Sequence, residues 1–440
     1  MFGTSGIRGR VGSEVTAELA LSVGRALAST GYERVVVGRD VRESGRMLER
    51  ALVAGVTECG GDAIDVGVEP TPTIARYVGE VDADAGVAIT ASHNPPEDNG
   101  IKLWSPSGQA FDERKKREIA EAVEREAFDL ADWDGVGERT AASDARERHA
   151  AVLREALTDA PIDELSVVVD VGNGTGRVTA DVLDAVGCDI ETLNGQRDGG
   201  FPGRPSEPTA ENCATARVLV ESIDADLGIL HDGDADRMLA VDEEGAFVGG
   251  DALLALFGRR EVGEGDRVAV PVDTSLAVAD AVSERGGDVV YTPVGDVFVA
   301  ERAAESGVVF GGEPSGAWIW PDETLCPDGP LAACRLAAVV ADDGPLSALV
   351  DELPQYPIRR DAVRTERKGA VMDRVRGIAD EEYAEVQTLD GVRIDTDRGW
   401  FLVRASGTEP LVRLTAEARD EDDADALFAE AKELVERASD

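Results

Sequence analysis

A unit of three short strands separated by helices occurs three times along this chain, and no other feature restricts its fold as strongly. The first strands read Arg34-Val35-Val36-Val37, Ser166-Val167-Val168-Val169-Asp170 and Arg267-Val268-Ala269-Val270. The second strands follow glycine turns, at Gly61-Asp62-Ala63-Ile64-Asp65, Gly187-Cys188-Asp189-Ile190-Glu191 and Gly287-Asp288-Val289-Val290-Tyr291. The third read Ala85-Gly86-Val87-Ala88-Ile89, Asp226-Leu227-Gly228-Ile229-Leu230 and Gly307-Val308-Val309-Phe310. Short apolar runs alternating with amphipathic helical stretches predict an α/β fold with mixed, mostly parallel sheets.

From about Pro354 the pattern changes. Strands near Gly391–Ile394, Gly399–Val403 and Leu411–Thr415, then a helix from about Asp422 to Ala438, predict a smaller α+β domain. The expected architecture is three similar α/β domains plus this C-terminal one around a central cleft, which the last domain closes. The boundaries fall at 1–145, 146–248, 249–350 and 351–440. A chain of 440 residues is too long for one core, which agrees with several domains.

Ligands of open α/β sheets bind beyond the carboxyl ends of the strands, so the segments after the third strands are the candidate site. They are Thr90-Ala91-Ser92-His93-Asn94-Pro95, Asp232-Gly233-Asp234-Ala235-Asp236-Arg237 and Gly311-Gly312-Glu313-Pro314-Ser315-Gly316. In an extended backbone, Asp232, Asp234 and Asp236 would point to one side. Three carboxylates with small Gly233 and Ala235 between them suit Mg²⁺ better than Ca²⁺; the alternative is a solvated acidic loop.

Pro95 and Pro96 keep the Ser92 loop from continuing as a helix. A serine nucleophile needs a base or a metal, and His93 and Lys102 are the local candidates for proton transfer or phosphate contact; the alternative is a serine that merely caps a turn. His231 reads equally as a hydrogen-bonded spacer, and His149 as a surface helix residue. Near the end, Arg404-Ala405-Ser406-Gly407-Thr408-Glu409-Pro410 joins a cation, two hydroxyls and a glycine, a composition that binds phosphate, with Arg413 adding a second charge. Here the alternative is an ordinary turn.

The formal net charge of -44 arises from 88 acidic against 44 basic residues, five of them Lys and 39 Arg. The acids are spread along the chain rather than forming an acidic tail, which points to a surface adapted to strong salt. No basic stripe is present, so nucleic acid is not an expected partner. The five cysteines lack metal-ligand spacing and are expected to be reduced thiols. No apolar run reaches membrane-spanning length and no leader precedes the first motif, so a cytoplasmic protein without membrane contact is expected.

Taken together, these motifs resemble the α-D-phosphohexomutase family from residue 2 to about residue 416. Phe2-Gly3-Thr4-Ser5-Gly6-Ile7-Arg8-Gly9 is similar to the family's opening signature, in which the arginine contacts phosphate. The Ser92 segment resembles the phosphoserine loop and Asp232 to Arg237 the metal loop. Gly312 to Gly316 resembles the sugar-binding loop, and Arg404 to Thr408 the phosphate-binding loop. The resemblance implies four domains that carry these loops in order. It also implies one Mg²⁺ per chain held by Asp232, Asp234, Asp236 and a phosphate oxygen on Ser92.

By the same resemblance Arg8, Lys102 and Arg237 surround the transferring phosphoryl group, with His93 beside the catalytic serine. Glu313 and Ser315 hold sugar hydroxyls, while Arg404, Ser406, Gly407, Thr408 and Arg413 bind substrate phosphate. Thr292-Pro293-Val294-Gly295-Asp296-Val297 is most like the phosphoglucosamine mutase branch, with a hexose 1,6-bisphosphate as activator and a sugar phosphate as partner. A monomer or homodimer is expected. Ala317 stands where many relatives carry His. Glucose, mannose or pentose phosphates are the rival substrates, and a catalytically silent sugar-phosphate-binding protein is the rival class.

The charge generates a test of its own. Long-range repulsion acts over roughly 30 Å at 0.01 M salt but only about 3 Å at 1 M. The melting temperature should therefore rise between about 0.05 M and about 3 M KCl; a flat melting curve would separate this acidity from salt adaptation.

Overall fold

In all three repeats the first strand lies between the other two and runs parallel to both. Arg34–Arg39 lies between Asp62–Val68 and Ala85–Ile89, and Ser166–Asp170 between Asp189–Leu193 and Leu227–His231. Arg267–Pro271 lies between Asp288–Thr292 and Val308–Glu313. The computed structural model describes all residues except 4, 5, 159, 407–409 and 440. The chain divides into two compact units, Met1–Gly250 with Ser315–Val350, and Asp251–Pro314 with Asp351–Asp440. No described helix is long and apolar enough to cross a membrane.

The first unit contains two repeats, each completed by a strand that returns antiparallel to the third. Asp98–Trp104 returns beside Ala85–Ile89, and Met238–Val241 beside Leu227–His231. The Ser92 and acidic loops are therefore the same structural element, the reversal at the carboxyl end of a third strand. Ile7–Arg10 extends the first sheet antiparallel to Asp98–Trp104, with Arg8 opposite Gly100. Because side chains alternate along a strand, Arg8 shares a sheet face with Lys102.

Continuous apolar runs are buried on both faces, as parallel sheets require. Val35 and Val37 pack in one core and Val36 in the other, all fully buried. Helices Ala17–Ser29 and Gly45–Glu58 cover one face; Thr16 caps the first by accepting from Leu19 N–H at 3.2 Å. His149 departs from the expected surface position. On helix Ala145–Glu155 it shares a buried face with Ala145 and Leu153, four residues to either side. Its Nδ1 lies 2.7 Å from Thr73 Oγ1 and its Nε2 3.1 Å from Asp328 Oδ2.

The second unit joins the third repeat to a four-stranded antiparallel sheet. Its order is Ile358–Arg364, Leu411–Ala418, Gly399–Ala405, Val392–Asp395. Alternation along Gly399–Ala405 sorts its residues: Phe401 and Val403 pack in one core with helices Lys368–Glu382 and Glu421–Ser439, while Trp400 and Leu402 pack with Val272 of the third repeat. Buried Glu417 accepts from Ser275 Oγ at 2.6 Å, Leu276 N–H at 2.7 Å and Trp400 Nε1 at 2.8 Å. Strand Ile358–Arg364 and helix Lys368–Glu382 were not expected; the strand is a largely polar edge, Ile-Arg-Arg-Asp-Ala-Val-Arg, with none of its residues buried.

Two helices in the first unit touch backbone to backbone. A Cβ on Gly24 would lie 2.2 Å from Leu52 O, and one on Gly55 2.1 Å from Leu21 O. Gly55→Ala should cost about 1–3 kcal/mol in urea unfolding through overpacking. Gly377→Ala, on a helix where an added Cβ meets nothing within 4 Å, should instead stabilise by up to about 1 kcal/mol.

Candidate active site

Ser92 adopts φ 51°, a left-handed conformation that costs a non-glycine residue about 1–3 kcal/mol. Arg42 supplies the restraint that holds it there. Its Nη1 donates to the carbonyls of Pro95 at 2.5 Å and Asp98 at 2.9 Å, and its Nη2 to those of Ser92 at 2.8 Å and Asn94 at 2.6 Å. Nε donates to Asp40 Oδ2 at 3.0 Å, so all five guanidinium donors are used. Asp40 Oδ2 also accepts from Thr90 Oγ1 at 2.7 Å, and Thr90 Oγ1 accepts from Ser92 N–H at 2.9 Å. Burial raises the Asp40 pKa despite Arg42. Neither Arg42 nor Asp40 belongs to a motif, and sequence reasoning missed both.

The acidic loop is built in the same way. At the end of strand Ser166–Asp170, Asp170 Oδ2 accepts from Arg204 Nε at 2.7 Å. Arg204 Nη2 in turn donates to His231 O at 2.6 Å, and Nη1 to the carbonyls of Pro205 and Ser206. Ser206 joins the two loops: its Oγ donates to Ser92 O at 2.9 Å and accepts from Gly233 N–H at 3.0 Å. A Cβ on Gly233 would lie 2.7 Å from Ser206 Oγ and 3.0 Å from Ser92 O, so the loops meet only with glycine there.

Asp232, Asp234 and Asp236 are 0%, 1% and 4% exposed, which excludes a solvated acidic loop. Each offers an oxygen within 4.8 Å of the others. The convergence comes from a turn with Ala235 at φ 55° rather than from the extended backbone expected. Ser92 Oγ donates to Asp232 Oδ2 at 2.6 Å. Lys102 Nζ lies 2.9 Å from Asp234 Oδ2 and 2.5 Å from Asp236 Oδ2. Thr71 anchors Asp234 twice, by Oγ1 to Oδ2 at 2.6 Å and by N–H to its carbonyl at 2.9 Å.

With all three carboxylates ionised, three negative charges face one ammonium in a buried site, and a divalent cation would balance the remainder. Asp234 Oδ1 is buried without a hydrogen-bond partner among the described residues, an acceptor left over for a ligand. The residues thus fit a hard divalent metal. Burial, then Asp236 and Asp234, push the Asp232 pKa well up. Burial acts the same way on Asp234, but Lys102 and the Thr71 hydroxyl outweigh it and hold that carboxyl below the usual range.

The histidines divide as their surroundings dictate. His93 Nδ1 is 3.4 Å from Ser92 Oγ. Burial, followed by the positive charges of Arg237, Arg8 and Lys102, lowers its pKa to about 2, leaving a neutral imidazole. His231 is a spacer: Nε2 meets Thr179 Oγ1 at 2.8 Å, Nδ1 meets Arg237 O at 2.9 Å, and burial lowers its pKa to about 4. Arg237 N–H donates to Asp232 Oδ1 at 3.3 Å, and the buried Nε of Arg8 has no hydrogen-bond partner among the described residues. Ser315 is half-buried in this unit.

In the second unit, Glu313 ends its strand buried and accepts from Gly295 N–H at 2.7 Å. Arg404 and Arg413 are register partners on adjacent strands. With Arg360 and Asp273 they line a cavity of about 450 Å³. Ser406 O accepts from Lys368 Nζ at 2.5 Å. Gly407 and Thr408 lie outside the described residues. Arg360 and Lys368, which sequence reasoning passed over, stand in the strand and helix it did not predict.

Models of the phosphoglucomutase/phosphomannomutase family match the chain as alpha/beta/alpha domain I over residues 1–130, domain II over 148–245, domain III over 249–356 and the C-terminal domain over 362–434. The chain is 48% identical to a probable phosphoglucosamine mutase of Methanopyrus kandleri, with 99% of this chain and 98% of the relative covered. It is 46% identical to another of that name from Methanosarcina acetivorans, with 100% and 99% covered. Among solved structures, a phosphoglucomutase/phosphomannomutase family protein from Burkholderia thailandensis superposes with a TM-score of 0.87 at 28% identity, covering 100% of this chain and 98% of that one.

Breaking the Arg42 clamp tests the site as built. Arg42→Ala leaves Asp40 buried without its partner and should cost about 3–5 kcal/mol in denaturant unfolding. Arg42→Lys keeps the charge without the fork, so amide exchange should accelerate across residues 92–99 while the fold persists.

Proposed function

Since the chain belongs to the phosphoglucomutase/phosphomannomutase family, the α-D-phosphohexomutases, and is thus an isomerase acting as an intramolecular phosphotransferase, we propose that it interconverts glucosamine 6-phosphate and glucosamine 1-phosphate through phospho-Ser92 and a 1,6-bisphosphate intermediate. The observation that carries this reading is Ser92 Oγ at 2.6 Å from Asp232 Oδ2, at the rim of a buried three-carboxylate cluster. Full-length identity to archaeal relatives named probable phosphoglucosamine mutases supports the amino sugar. Glucose and mannose phosphates, the substrates in the family's name, are the second reading.

In the forward half-reaction the Ser92 Oγ–phosphorus bond breaks as a sugar hydroxyl oxygen bonds to phosphorus. The hydroxyl proton leaves the sugar, and Ser92 regains a proton on Oγ. The bisphosphate then turns over, and its other phosphoryl group returns to Ser92. One Mg²⁺ per chain, held by Asp232, Asp234, Asp236 and a phosphate oxygen on Ser92, would neutralise the oxygens of the transferring group. Arg8, Lys102 and Arg237 add fixed positive charge at that group. The left-handed Ser92 backbone keeps Oγ aimed at the acidic cluster.

Neutral His93, 3.4 Å from Ser92 Oγ, has an unprotonated ring nitrogen to receive a proton, but its depressed pKa makes it a weak base. Glu313 and Ser315 for the sugar hydroxyls, and Arg404, Ser406, Gly407, Thr408 and Arg413 for the distal phosphate, complete the proposal, as do domains at 1–145, 146–248, 249–350 and 351–440. A monomer or homodimer in the cytoplasm, activated by the hexose 1,6-bisphosphate, is the working context.

Initial rates with glucosamine, glucose and mannose 6-phosphates, each with its 1,6-bisphosphate, should be highest for glucosamine. Intact-mass spectrometry should find one phosphate on part of the wild type and none on Ser92→Ala, which should not turn over. Chelation should abolish turnover and Mg²⁺ restore it. Equal turnover by Ser92→Ala would overturn the mechanism, and faster turnover of glucose or mannose phosphate would overturn the substrate.

A further inference from the structure

The first unit carries a second concave site, built from residues that the proposed mechanism does not use. A cavity of about 620 Å³ is lined by Arg39, Arg46, Arg50 and Arg139 together with Glu49 and Asp65. Two of the arginines are neutralised within the protein. Arg39 Nε lies 2.6 Å from Glu49 Oε2, and Arg139 pairs with Asp65. Burial, followed by the nearby Asp65 carboxylate, raises the Glu49 pKa, so the two acids face one another across this wall. Gly67, at φ 77° and with nothing within 4 Å of an added Cβ, leaves the wall open beside Asp65.

Arg46 and Arg50 differ from these. Four residues apart on helix Gly45–Glu58, they project from one face of the helix, and neither side chain makes a hydrogen bond or an ion pair among the described residues. In a chain with 88 acidic and 44 basic residues, two adjacent arginines without a carboxylate partner are unexpected. Four guanidinium groups against two carboxylates leave this cavity at +2 within a protein of net charge -44. That charge matches a phosphate monoester dianion, and arginine presents planar paired donors suited to phosphate oxygens. The volume lies within the roughly 300–1,000 Å³ of small-molecule sites, well beyond what a bare anion fills.

We propose that this cavity binds a phosphate-bearing small molecule, with Arg46 and Arg50 holding the phosphate and the Glu49–Asp65 side of the cavity accepting hydrogen bonds from its hydroxyl or amino groups. The site is separate from the sugar-phosphate site proposed above. Arg39 pairs with Glu49, whereas the next residue, Asp40, turns to Thr90 in the Ser92 loop.

The test is calorimetric titration of the full chain with inorganic phosphate and with AMP at constant ionic strength, for wild type, Arg46→Ala/Arg50→Ala and Arg404→Ala/Arg413→Ala. Both arginines in the first pair are exposed, and an unchanged melting temperature will verify that this variant folds. The wild type should bind AMP, with at least tenfold weaker binding in Arg46→Ala/Arg50→Ala and unchanged binding in Arg404→Ala/Arg413→Ala. Binding of phosphate but not AMP, lost in the same variant, would identify the free ion as the ligand and overturn the proposal of a larger phosphate-bearing molecule. Equal binding by wild type and Arg46→Ala/Arg50→Ala, or no binding of either probe, would overturn the proposal.

Discussion

The buried Asp40–Arg42 pair is the interaction on which the rest of the site depends. A loop that reverses a chain at a sheet end turns its carbonyls inward, and buried carbonyls without donors are costly. Arg42 is fully buried and satisfies four of them at once. No other side chain offers five donors in a rigid fork. Its charge is balanced by Asp40, which reaches Ser92 N–H through Thr90, so one ion pair fixes both the carbonyl and the amide side of the loop. The left-handed backbone of Ser92 is sustained by this network.

The second repeat uses the same device. Asp170 ends a first strand, as Asp40 follows one, and Arg204 spreads its donors over carbonyls beside the acidic loop. Two copies of one supersecondary unit thus yield two differently armed loops, one with a hydroxyl and one with three carboxylates. Ser206 and Gly233 bring them into contact, and Lys102 from the first copy lies against aspartates of the second.

Charge is handled oppositely on the surface and in the site. The acids spread along the chain carry its net charge of -44, whereas the acidic triad is buried and owes its tolerance to Lys102, Thr71 and the Ser92 hydroxyl. Contact with Lys102 is what separates the pKa values of Asp232 and Asp234: the same desolvation raises both, but only Asp234 of the two has the ammonium in contact. In the second unit, buried Glu417 performs the structural task, tying Trp400 of the antiparallel sheet to Ser275 and Leu276 of the third repeat.

The chain alone determined the threefold α/β repeat, its strands, the smaller C-terminal domain and the loops that carry Ser92 and the three aspartates, because apolar periodicity and turn residues are local properties. It did not reveal strand Ile358–Arg364, whose polar edge has no such periodicity, nor the burial of His149, whose only signal was its spacing from Ala145 and Leu153. The roles of Arg42, Thr71, Arg204 and Ser206 were equally invisible: each acts on a loop distant in sequence, Arg42 some 50 residues before the carbonyls it holds and Thr71 more than 160 before Asp234. Only the tertiary structure decided these, because a hydrogen bond across such a separation depends on which strands become neighbours, and no local pattern records that.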